Sequence, residues 1–114
     1  MPCRECGAMI VNDRAVLAEV QAAFDRYEAA LGANDVAVLD GMFRADALVI
    51  RYGITENLYG AAEILAFRKA RPSAGLARRL DRVVITTFGP DMATASTLFY
   101  RASSPGKTGR QMQT

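Results

Sequence analysis

The strongest constraint on the fold is a change of period along the chain. Up to about residue 71 most apolar residues recur at helical spacing, with one short interruption. From Arg79 to Arg101 they alternate, and the alternation turns once at Gly89-Pro90-Asp91. In the first part, Val16, Val20, Phe24, Tyr27 and Leu31 mark a helix that Asn12 or Asp13 can cap and that Gly32 should close. Asn34-Asp35 opens a second, short helix with Val36, Leu39, Met42 and Phe43 as its stripe. A strand over 47–52 and a short element over 56–59 pair across Gly53, and Gly60 leads into a third helix, 61–71, stopped by Pro72. Two long strands, 79–88 and 92–101, then a Ser/Pro/Gly loop and a strand starting at Gln111 complete the chain. Helices first and an antiparallel meander last predict an α+β domain, with three helices over the concave face of a curved antiparallel sheet. Such an arrangement forms a pocket suited to small ligands.

The 114 residues suffice for one domain, 12–114, behind a leader, 1–11, expected to be mobile. Half the residues are hydrophobic and the net charge is only +2, which argues for an ordinary globular protein and against a disordered one. The arginines are spread among acids without a basic block, so nucleic acid is not an expected partner. No apolar run has the length of a membrane span and no signal-peptide pattern opens the chain, which reads as cytoplasmic. Cys3 and Cys6 form a C-x-x-C, but no other Cys and no His exists to complete a zinc site. The absence of histidine also excludes Ser-His-Asp and Cys-His machinery. Acid–base work falls to Asp, Glu, Tyr or Lys, and anion binding to arginine, which outnumbers lysine 12 to 2. Neither metal nor cofactor is expected.

Several residues stand where chemistry is plausible. Arg51 alternates with Leu48, Ile50 and Tyr52 and shares the parity of Val49. It either points to water or lines a cavity and holds an anion. Tyr27 lies on the apolar stripe of the first helix, either as a core tyrosine or with its hydroxyl directed into a pocket. Ile64, Phe67, Arg68 and Arg71 share one helical face, which turns Arg68 and Arg71 towards the sheet unless their stems snorkel to the surface. Glu56 can pair with an arginine and hold it rigid, and Asn57 follows it. Both are equally acceptable as turn residues facing water.

The segments "AFDRYEAAL", "RYGITENLYG", "FRKARPSAGLARRL" and "VVITTFGPDMATASTLF" together resemble the AtzH-like (HpxZ-like) family of the SnoaL-like, nuclear-transport-factor-2-like superfamily. The resemblance covers residues 12–114. It implies the cone-shaped fold of that superfamily, here expected to lack its last strand. The family includes a decarboxylating amidohydrolase of cyanuric acid breakdown, and other members belong to oxalurate catabolism. The implied activity is hydrolase-type conversion of 1,3-dicarboxyurea, or a related carboxylated urea, to allophanate and carbon dioxide. The family's tyrosine and arginine match Tyr27 in "DRYE" and Arg51 in "IRYG", which makes them the expected catalytic pair. Arg68, Arg71, Glu56 and Asn57 are expected to bind substrate. A homodimer and a pathway amidase are the expected partners. The alternative is a non-catalytic anion-binding or accessory module of an amidase pathway.

Overall fold

The computed structural model describes residues 9–114, so Cys3 and Cys6 lie outside the described residues. The elements follow in the order α1 (Arg14–Ala33), α2 (Val36–Met42), β1 (Ile50–Tyr52), β2 (Asn57–Tyr59), α3 (Ala61–Ala70), β3 (Arg79–Phe88), β4 (Met92–Tyr100) and β5 (Gly109–Gln113). All strand pairs are antiparallel. They form two open sheets, β1-β2 and β3-β4-β5. The class is therefore α+β, with three helices and antiparallel sheets. The described chain divides into two compact units: the segment up to Asp25 with Arg78–Thr114, and Arg26–Ala77.

In the first unit Asp13 caps α1, its carboxylate accepting from the Val16 amide at 3.2 Å. Ile10 and Val11, grouped with the leader by sequence, are instead tied to the end of β3. Val11 forms an isolated antiparallel bridge with Phe88, and the Gly89 amide donates to the Ile10 carbonyl at 3.0 Å. Asn12 sits in the left-handed region at φ 58°, a conformation that asparagine tolerates better than most residues. Its amide donates to the Thr87 carbonyl at 3.0 Å, and its Oδ1 accepts from the Thr87 amide at 2.9 Å. One side chain thus supplies the acceptor that a neighbouring strand would. Within β3 the register shifts between Asp81 and Val84, with Arg82 at φ 53°. The extra residue is a β-bulge. The Thr97 hydroxyl donates to the Asp81 carbonyl beside it at 3.0 Å.

The second unit holds the aromatic and arginine residues of interest. The end of α1 corrects the sequence reading: Gly32 lies inside the helix, and Asn34, at φ 51°, ends it. The Asn34 amide donates to the Leu31 carbonyl and the Asp35 amide to that of Ala30, at 3.2 and 2.8 Å. That pair of bonds is the Schellman pattern, which satisfies the last carbonyls and needs a left-handed residue where Asn34 stands. Asp35 then caps α2, accepting from the Val38 amide at 3.3 Å. Tyr27, Ala30, Leu31 and Leu39 form a buried cluster, with Val38, Met42 and Phe43 packed around it. The β1-β2 turn closes with the Gly53 amide donating to the Glu56 carbonyl at 2.8 Å. Gly60, at φ 86°, bends the chain out of β2 into α3, a conformation that a side chain would strain. Arg71 is extended at φ −79°, ψ 146°, where α3 ends. Pro72 disfavours the helical region for the residue before it.

Candidate functional site

Strand β1 is too short to have a core of its own, so alternation decides which side chains turn inward. Ile50 and Tyr52 are exposed and Arg51 is largely covered. The apolar residues thus take the outer face and the arginine the inner one, the reverse of ordinary burial preference. The Arg51 side chain is 17% exposed and that of Glu56 18%. Arg51 Nη1 donates to Glu56 Oε1 at 2.9 Å, and the Thr55 hydroxyl donates to Glu56 Oε2 at 2.8 Å. Partial burial pushes the Glu56 carboxyl up. The hydrogen bond from Arg51, then the bond from Thr55 and the charge of Arg51, outweigh it and hold the group below its ordinary range. Gly53 permits this pair, because a Cβ there would occupy the place of the Glu56 carboxylate. The arginine, glycine and glutamate of "RYGITE" therefore form one device. The Arg51 guanidinium also lies over the Phe67 ring, 5.2 Å from its centroid.

Arg68 is a second inward cation, and the most deeply buried arginine among the described residues. Ile64 and Arg68, one helical turn apart on α3, are both buried, and Arg68 is 0% exposed. Its guanidinium stands over Phe43 at 4.9 Å and beside the Tyr27 ring at 6.0 Å. Nη2 approaches the Tyr27 hydroxyl at 3.5 Å, the long limit of a hydrogen bond. Nε and Nη1 are buried without a hydrogen-bond partner. Tyr27 is itself buried, and its ring tilts by 32° against Phe43 at 6.1 Å.

Of the residues singled out from sequence, Tyr27 and Arg68 stand together, and so do Arg51 and Glu56. Arg71 lies over the other reach of Phe67 at 5.7 Å, and its Nε donates to Asn34 Oδ1 at 3.2 Å. Asn57 is exposed on β2 and joins neither group. Sequence reasoning missed Thr55, and it read Gly53 only as a turn, Asn34 only as a helix start, and Phe43 and Phe67 only as apolar stripe. The available signal was the cluster of aromatic residues at positions whose neighbours were arginines, since guanidinium groups favour aromatic faces. Among the described residues no group of three or more Cys, Asp and Glu is placed to hold a metal ion.

Three helices and open antiparallel sheets make this a small α+β domain of the cystatin-like class. A cystatin-like fold protein from Burkholderia xenovorans has the same fold, with a TM-score of 0.87 and 42% identity over 93% of this chain and 81% of that one. The chain belongs to the AtzH-like family, whose sequence model matches residues 9–114. A DUF3225-family protein of unknown function from Pectobacterium atrosepticum is similar too, at 60% identity and a TM-score of 0.89 over 93% of this chain and 84% of that one. No curated protein matches the chain.

Proposed function

We propose that this protein is a cofactor-free, hydrolase-type enzyme that converts 1,3-dicarboxyurea, or a close carboxylated urea, to allophanate and carbon dioxide. The observation that carries the reading is the buried Tyr27 hydroxyl beside a buried guanidinium, Arg68 Nη2 at 3.5 Å. Membership of the AtzH-like family supports it. A dianionic substrate needs two cationic contacts in a low-dielectric setting, and Arg51 and Arg68 are the inward arginines available for them. In the reaction the bond between a urea nitrogen and one carboxylate carbon breaks. Its electron pair stays on nitrogen, and the carboxylate leaves as carbon dioxide. The Tyr27 hydroxyl gives its proton to that nitrogen, and solvent returns a proton to the tyrosinate. The net change is the dianion plus one proton going to allophanate and carbon dioxide. Arg51 holds the retained carboxylate once the substrate displaces Glu56 from it.

The test is allophanate formation from 1,3-dicarboxyurea by folded, metal-free protein. Turnover well above the buffer rate is expected. A rate equal to buffer overturns the enzyme reading and leaves an anion-binding module.

A further inference from the structure

A buried charge is normally neutralised in place, because desolvation is too costly to leave it uncompensated. The two arginines differ in this respect. Arg51 has Glu56 at 2.9 Å. Arg68 is more deeply buried, yet no carboxylate of the described residues pairs with it, and its Nε and Nη1 donors are unused. Its surroundings are ring faces, Phe43 at 4.9 Å and Tyr27 at 6.0 Å. Rings stabilise a cation but accept no conventional hydrogen bond of the strength a carboxylate does. Among the described residues its hydrogen-bond partner is the Tyr27 hydroxyl, which accepts from Nη2 and keeps its own proton to donate elsewhere.

We infer that Arg68 and Tyr27 form a carboxylate subsite distinct from the Arg51–Glu56 pair, and that it takes a small, planar monocarboxylate before Arg51 is engaged. The aromatic walls favour a flat anion. The unused N–H groups meet its oxygens, and the tyrosine proton completes the set. In this arrangement Glu56 stands in for the second carboxylate at Arg51, so a monoanion leaves that ion pair intact and a dianion exchanges with it. The inference rests on the proposed function for the chemical class of the substrate, and on the geometry of Arg68 for the place.

The experiment measures binding of oxamate, a planar monocarboxylate, by titration calorimetry and by melting temperature, with sodium chloride at matched ionic strength as the control. Wild type should bind oxamate and melt higher with it. Arg68→Met should weaken binding by about 10-fold or more, the loss of a charge-assisted bond, and should melt no lower than wild type without ligand, because it removes an unpaired buried charge. Arg51→Met should bind oxamate within about 3-fold of wild type, less than the loss of one such bond. Loss in Arg51→Met with retention in Arg68→Met overturns the assignment, as does the absence of oxamate binding by wild type. Should Arg68→Met fail to fold, Arg68→Lys keeps the charge without the fork. Wild-type oxamate affinity in Arg68→Lys also overturns it. Binding is read without turnover: dicarboxyurea left unchanged by a protein that binds oxamate through Arg68 ends the proposed activity alone, and turnover of dicarboxyurea by a wild-type protein that does not bind oxamate ends the subsite alone.

Discussion

Tyr27 and Glu56 show how little of a side chain's surroundings follows from its type. Tyr27→Phe keeps the ring in the cluster with Leu31 and Leu39 and removes only the hydroxyl. It should cost no more than about 1 kcal/mol of stability and lower turnover by roughly 100-fold or more, the usual share of a positioned acid. A melting curve and an activity assay on the one variant separate the two roles, and normal turnover would remove Tyr27 from the chemistry. Glu56 is held below its unfolded pKa by Arg51 and Thr55. A group depressed in the folded state contributes its stability above the unfolded value, about 4.3 for Glu, and loses it as pH falls through the folded one. Glu56→Gln should therefore melt lower than wild type at pH 7, by about 1–2 kcal/mol. The gap should narrow as pH drops below about 4. A pH-independent gap would mean that the pair does not supply it. That Arg51 takes the face opposite Ile50 and Tyr52 was legible, because alternation is a local property, whereas the inward turn of that face was not, since burial preference alone would have put the apolar pair inside. The meeting of Arg68 with Tyr27 was not legible either, since these residues are 41 positions apart and only the tertiary fold joins them.

Elements were legible where a local rule sets them and obscure where a tertiary contact does. The ends of β3 match the alternation, and α3 stops at the residue that Pro72 dictates. Gly32 misled because glycine is the common helix terminator, whereas the Schellman bonds at Asn34 decide the end. The bulge at Arg82 leaves no mark in the residue types, since arginine has no preference for a left-handed backbone. The β1-β2 turn carries a prediction of its own. Gly53→Ala places a methyl group where the Glu56 carboxylate lies, so it should displace that carboxylate from Arg51. Its destabilisation should resemble that of Glu56→Gln, and the double variant should cost less than the sum, the signature of residues acting through one contact. Strict additivity in denaturant melts would show that Gly53 serves the turn alone.

At the scale of the whole molecule, the order of elements named the α+β class, and the likeness to a cystatin-like fold protein agrees with it. The division of the strands between two sheets was less visible, because alternation says which face a residue takes and not which strand it will meet. Among the described residues no helix is long and apolar enough to cross a membrane. Val83, Val84, Met92 and Met112 are exposed on the three-stranded sheet, a concentration of apolar side chains that soluble monomers rarely leave uncovered. A two-fold dimer through this sheet is the expected remedy. Sedimentation should give twice the chain mass at micromolar concentration, and Val84→Lys should shift it towards the monomer. A wild-type monomer under those conditions would rule the dimer out.

The bonds of Asn12 do more than tie the chain before α1 to β3. β3 is an edge strand, and the two hydrogen bonds between Asn12 and Thr87 lie on its free side. Ladder alternation turns the Ile85 amide to that same side. In heavy water the Thr87 amide should therefore hold its proton long after Ile85 has given its own away. Asn12→Ala should equalise the two. A single asparagine would then set the order in which this margin of the sheet opens.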